Sequence, residues 1–134
     1  MSDKKNIDMT RAKAVLLNRY GGCLSSEDFA NLLNINLNEL SHLTQTGKVF
    51  HAVDQQDRSV FPRWQVYNGT VLEGLNRVLA KLDDRSIWSK MIFFTTYNDC
   101  LEGALADRFN SNDITPIEAL RRGYIDQVVE AAEI

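Results

Sequence analysis

The sequence predicts a mainly α-helical fold: an N-terminal helix-turn-helix carrying a small β-hairpin wing, followed by a helical C-terminal half. Three observations predict it. Residues 25–46 hold two short apolar-periodic segments separated by Asn34-Ile35-Asn36. Residues 48–61 switch to alternation around the polar run Asp54-Gln55-Gln56-Asp57-Arg58. From Val71 onward the helical period returns, with Leu72, Leu75, Val78, Leu79 and Leu82 on one stripe.

Taken in order, residues 1–8 are polar and charged, and Met9, Ala12, Val15, Leu16 and Leu17 then recur at near-helical spacing up to Tyr20, where Gly21-Gly22 stops the helix. Ser25-Ser26-Glu27-Asp28 supplies a cap and an acidic first turn for a second helix, whose apolar side is Phe29, Ala30, Leu32 and Leu33. A third helix is expected from Leu37 to Thr46, with Leu40 and Leu43 inward and Gly47 closing it. Lys48–Val53 and Ser59–Phe61 read as the two strands of the hairpin, and Pro62 ends the second strand or marks an edge. Phe61, Trp64 and Val66 are expected to be core residues where the hairpin meets the helical half, with Trp64 the anchor between the halves.

Tyr67-Asn68-Gly69-Thr70 is a turn and divides the chain into residues 1–67 and 68–134, two halves expected to touch. The second half continues with helices over Val71–Leu82, from Ile87 to Thr95 or Tyr97, and over Asp99–Asp107, then a loop at Arg108–Asp113. Thr115, Pro116 and Glu118 form the start signal of a short helix: a cap, a proline at the first helical position and a capping-box acid three residues on. Gly123 ends that helix in a left-handed cap, and Ile125, Val128, Val129 and Ala132 mark one more. The apolar face of this pair must pack on something, either this chain or a partner.

At 134 residues the chain can bury a core without metal or disulfide support. No run approaches the roughly 18 apolar residues that span a bilayer, and the start lacks an apolar signal region, so no membrane and a cytoplasmic location are expected. Cys23 and Cys100 are far apart with no paired ligand, and read as free thiols. The net charge of −3 argues against non-specific coating of nucleic acid. Residues 1–67 carry eight Lys/Arg against seven Asp/Glu, and residues 68–134 seven against eleven; any phosphate contact is therefore expected in the N-terminal half.

Catalytic patterns are missing: the sequence has no nucleophile elbow, no phosphate-binding glycine loop, and its two histidines, His42 and His51, announce no shared metal. An enzyme is not expected, nor a metal or cofactor. Chemistry at a reading helix would instead come from the outward positions of the third helix, Leu37, Asn38, Ser41, His42 and Gln45, with His42 suited to phosphate or guanine. Asn38 and Gln45 match the bidentate pattern of adenine. Phosphate contacts would fall to Lys48, Arg58 and Arg63, with Lys4, Lys5, Arg11 and Lys13 behind them.

Two motif clusters carry a resemblance. Ala30, Ile35, Leu40, Leu43 and Gly47-Lys48-Val49 resemble the helix-turn-helix and wing approach of excisionase-like and MerR-like domains. The order Phe61-Pro62-Arg63-Trp64-Gln65, Asn68-Gly69, then Thr115-Pro116 through Leu120 to Gly123, resembles the antitoxins of the Xre/MbcA/ParS-like class over roughly residues 25–134. That resemblance implies a homodimer with a C-terminal toxin-binding domain, neutralising a cognate toxin, commonly a NAD-consuming RES-domain enzyme, and repressing its own operon through operator DNA. The matching partner-binding positions are Thr115, Pro116, Glu118, Leu120, Arg121, Arg122 and Gly123. The chain departs from the family by the eleven residues Ala104–Ile114 between Gly103 and Thr115, and by a reading helix without Lys or Arg. The other possibility the residues leave open is a stand-alone DNA-binding transcriptional regulator whose C-terminal half only dimerises.

Overall fold

A computed structural model describes residues 11–105 and 114–133. Helix α1 covers residues 11–18 and ends in a 3-10 turn, Arg19–Gly21, where Tyr20 takes a left-handed conformation (φ 54°). The chain then enters strand β1 (Cys23–Ser25), helix α2 (Ser26–Leu33), helix α3 (Leu37–Gln45) and strands β2 (Ala52–Val53) and β3 (Ser59–Pro62). A second 3-10 turn, Arg63–Gln65, leads to β4 (Val66–Tyr67) and β5 (Thr70–Val71). The helical half follows: α4 (Leu75–Lys81), α5 (Ile87–Thr95), α6 (Asp99–Leu105), α7 (Pro116–Arg121) and α8 (Ile125–Ala132). The fold is mainly α with a small antiparallel wing, the class the sequence predicts.

The wing has one strand more than the hairpin expected from alternation. β3 is central, flanked by β1 and β2, with Leu24 opposite Phe61 and Ala52 opposite Val60. β1 is three residues long and its middle one alone points apolar surface inward, too little for a period to show. The expected strand over Lys48–Val53 shrinks to Ala52–Val53 for a specific reason. The backbone N–H of Phe50 donates to Gln65 Oε1 at 2.6 Å, and Gln65 Nε2 donates to the Phe50 carbonyl at 2.7 Å, so a side-chain amide stands where a ladder partner would. Gln65 is fully buried, and its two-way bond fixes the base of the wing.

Tyr67-Asn68-Gly69-Thr70 forms a two-residue hairpin rather than a linker. Asn68 and Gly69 both have positive φ (56° and 80°), the conformation whose twist suits paired strands, and Val66 faces Val71 across it. This pairing takes Val71 out of the helix expected over Val71–Leu82, and α4 begins at Leu75. Gly74, at φ 84°, sits just before it; a Cβ there would lie 2.5 Å from Ile125 Cγ2, so the glycine also sets how closely α8 approaches α4. Exposed ion pairs, Arg77 with Asp126 and Lys81 with Glu133, both at 2.9 Å, border the same α4–α8 contact.

Buried apolar residues form two clusters. The smaller one holds the helix-turn-helix: Phe29, Ala30, Leu40, Val49 and Phe61, with Phe29 and Phe61 stacked at 4.8 Å between ring centroids. The larger one holds α4–α8, and it also takes Leu16 from α1, Phe50 from the wing approach and Trp64. Cores therefore do not part at residue 67. Trp64 lies 4.8 Å from Phe94 of α5 and 5.9 Å from Phe50, the inter-half anchor expected of it. Its indole N–H is buried without a hydrogen-bond partner, so ring packing alone holds it. Among the described residues no helix is long and apolar enough to cross a membrane.

Candidate nucleic-acid interface

Helix α3 forms because its ends are satisfied locally. Asn36 Oδ1 accepts from the Glu39 N–H at 2.8 Å while Glu39 Oε1 accepts from the Asn36 N–H at 3.3 Å, a complete capping box. The turn before it is equally determined. Asn34 adopts φ 59°, its N–H donates to the Asn31 carbonyl at 3.1 Å, and the Ile35 N–H donates to the Ala30 carbonyl at 3.0 Å. Ile35 and Leu43 pack against the small core, and Leu40 is buried in it. Once that face is committed, Asn38, Ser41, His42 and Gln45 stand at successive outward positions, all exposed.

The stripe has two flanks. Leu37, Ser41 and Gln45 line a groove of about 370 Å³ between α3 and the wing, together with His51, Ser59 and Phe61. Asn38 and His42 border the opposite side of the helix, beside Ile35, Asn36 and Glu39. Leu37 is half exposed, an apolar residue at the first turn of an otherwise polar face.

The cations that sequence assigns to phosphate divide on inspection. Lys48 is exposed two residues beyond the Thr46 cap of α3. Arg58 is not free: its Nε lies 3.1 Å from Asp54 Oδ2, and its guanidinium also donates to Gln56 Oε1. Asp54 accepts in addition from the Arg58 and Gln56 backbone N–H groups, both at 2.9 Å. These bonds, the Arg58 backbone N–H foremost, hold the Asp54 carboxyl below the usual carboxylate range. Arg63 sits exposed in the 3-10 turn, its N–H donating to the Gly22 carbonyl at 2.9 Å and its Cδ lying beside Gly21. Lys13 lies 5.0 Å over the Trp88 ring, and Arg19 donates to Thr95 and Thr96 of the helical half at 3.1 and 3.3 Å. Much of the N-terminal positive charge is thus used to fasten α1 to α5. Lys4 and Lys5 lie outside the described residues.

The C-terminal cluster answers the question its apolar face posed. Ile117, Leu120, Val128 and Val129 all belong to the chain's own large core. Thr115, Pro116 and Leu120 are buried, which withdraws them from any partner in this arrangement; Glu118 and Arg121 are half-buried, and only Arg122 and Gly123 of the seven positions are exposed. Thr115 Oγ1 accepts from the Glu118 N–H at 3.3 Å, the forward half of the expected capping box. The Glu118 carboxylate instead accepts from the Tyr20 hydroxyl at 3.3 Å, and the same hydroxyl lies 2.9 Å from Thr115 Oγ1. Burial pushes the Tyr20 phenol up, so it remains a neutral donor there. Arg121 reaches between two rings, 5.8 Å from Tyr20 and 5.5 Å from Tyr67, with its Nε buried and unpartnered. Gly123, at φ 87°, provides the expected left-handed end.

Sequence reasoning missed Tyr20 and Gln65. Their partners lie 95 and 15 residues away, and no spacing rule announces contacts between residues so far apart in the chain. The ends of the segment Ala104–Ile114 are pinned: Leu105 and Ile114 are buried, and the Ile114 carbonyl accepts from the Asn98 N–H at 3.0 Å. The loop expected at Arg108–Asp113 lies outside the described residues. Cys23 and Cys100 are free thiols; burial pushes the Cys23 thiol up to about 11. Among the described residues no group of three His, Cys, Asp or Glu side chains could hold a metal ion.

Fold and surface together define a mainly helical chain built around a winged helix-turn-helix. No protein-family model matches it, and no curated protein does. Among solved structures, an NMR structure of Rv2175c superposes with a TM-score of 0.66, covering 87% of this chain and 82% of that one at 19% identity. At that identity the likeness is one of fold.

Proposed function

We propose that this protein is a DNA-binding transcriptional regulator in which α3 enters the major groove and the helical half serves as a rigid mount. The observation that carries this reading is the stripe Asn38, Ser41, His42 and Gln45, four hydrogen-bonding side chains exposed together on a fully capped helix beside a wing. What supports it further is the clamping of the wing base by Gln65 and Trp64, since a reading head needs fixed geometry. Homodimerisation would double a small number of contacts per chain.

The experiment is a fluorescence-anisotropy titration of the full chain with duplex DNA from upstream of its own gene, over a salt series. Binding is expected at low salt, and Asn38→Ala with Gln45→Ala is expected to weaken it while leaving the thermal melt unchanged. No binding even at low salt would overturn the proposal.

A second reading, neutralisation of a toxin such as a NAD-consuming RES-type enzyme, draws on the exposed carboxylates Glu73, Asp83, Asp84 and Glu130 of the helical half, which suit a basic protein partner. In this reading the contact surface would be the exposed Arg122–Gly123 corner and those carboxylates rather than the buried face of α7. Co-expression with the neighbouring gene product tests it: a neighbour that is harmless alone, or that fails to co-purify, excludes the reading.

A further inference from the structure

Resting on the DNA-binding reading, we infer that α3 selects adenine-containing, A·T base pairs and that its binding depends on those contacts more than on phosphate attraction. The argument begins with what the reading face lacks. Guanine is most often read by Arg or Lys reaching O6 and N7, and α3 carries neither. The arginine at the wing tip is occupied by Asp54 and Gln56, and Arg63 lies beside the Gly21-Gly22 turn. What the exposed stripe does offer is two primary amides, Asn38 and Gln45, about two turns apart on the same side of the helix, with Ser41 and His42 beside them. Each amide presents a donor and an acceptor side by side, the complement of adenine N7 and N6.

Leu37 adds the other half of the base pair. It is 50% exposed at the N-terminal end of α3, the end that meets base edges in helix-turn-helix docking. An exposed leucine among polar neighbours fits the thymine methyl group, which guanine–cytosine pairs lack. Amides for adenine and an aliphatic side chain for thymine therefore agree on one base pair.

Electrostatics point the same way. Residues 23–67 hold three Lys/Arg (Lys48, Arg58, Arg63) and five Asp/Glu (Glu27, Asp28, Glu39, Asp54, Asp57), a balance of −2. With Arg58 paired to Asp54, the cations placed near α3 among the described residues are Lys48, just past its end, and Lys90, which lines a cavity with Thr44 and Gln45. A protein neutralising so few phosphates releases few counterions, so the slope of log K against log salt should be about −2 or shallower per bound chain. Weak non-specific attraction leaves base contacts to decide affinity.

Selection from a randomised 20-base-pair duplex library with the full chain tests this, followed by titration of the enriched duplex over a salt series. An A·T-centred motif is expected. Replacing its adenines by 7-deazaadenine, which removes only the N7 acceptor, should weaken binding about 5- to 100-fold, and Asn38→Ala and Gln45→Ala should each remove the sensitivity at a different adenine. Both variants should melt as the parent chain does. A guanine-centred motif, or tight binding without sequence preference and with a steep salt slope, would overturn the inference while leaving DNA binding intact. Failure of every duplex to bind at low salt would overturn both.

Discussion

Helices α3 and α7 begin with nearly the same local instructions and end in opposite environments. Each has an oxygen-bearing N-cap, Asn36 or Thr115, and an acid three residues later, Glu39 or Glu118. In α3 the acid returns to its own cap and the outward face stays in solvent. In α7 the acid is taken by Tyr20 from the other end of the chain, and the face sinks into the core. Capping chemistry determines where a helix starts; it says nothing about what will cover it. The consequence for function is direct, because a cluster that looked like a docking motif is largely interior and the polar stripe is what remains available.

Core truncations should separate the two helices most strongly. Ile117→Ala or Leu120→Ala is expected to lower unfolding stability by about 2–5 kcal/mol, since both side chains are buried against α5 and α8 neighbours. Asn38→Ala and Gln45→Ala should stay within about 0.5 kcal/mol, being solvent-facing. Urea titrations of the four variants measure the contrast. Comparable losses on both helices would mean that α3 is also covered.

The caps give a smaller difference. Asn36→Ala should cost about 1 kcal/mol, the usual worth of an exposed N-cap. Thr115→Ala should cost about 2 kcal/mol, because it also strips a partner from the half-buried Tyr20 hydroxyl. In a Tyr20→Phe background the excess should vanish, and a double-mutant cycle in thermal unfolding reads that coupling.

The smallest effect concerns Asp54, which pairs with the exposed Arg58 at the wing tip. Its carboxyl is depressed in the folded chain, so its contribution to stability is complete above the ordinary carboxylate range and is lost as pH falls through the lowered value. Asp54→Asn should flatten the acid limb of a stability-against-pH profile. It should also free Arg58 and steepen the salt dependence of DNA binding by roughly one unit of slope. An unchanged acid limb would show that the wing tip is not formed as described.

Much of the fold was legible because its signals are local. Ser25 and Thr115 cap the helices they precede, and Gly21-Gly22 and Gly123 end theirs. Hydrophobic spacing placed α2, α3, α4, α5 and α8 on the correct stretches, and β1 was too short to have a period. The stripe on α3 was readable for the same reason: inward Leu40 and Leu43 dictate which residues point outward.

Sequence by itself thus determined the order of the helices, the caps at Ser25 and Thr115 and the chemistry of the exposed α3 face, all of which depend on residues within a turn or two of one another. Only the tertiary structure decided that Gln65 would replace a strand partner for Phe50, that Tyr20 would claim Glu118, and that the Thr115–Leu120 face would be interior. Those outcomes depend on which distant segments meet when the chain folds, and burial is a property of the pair of surfaces rather than of either sequence segment.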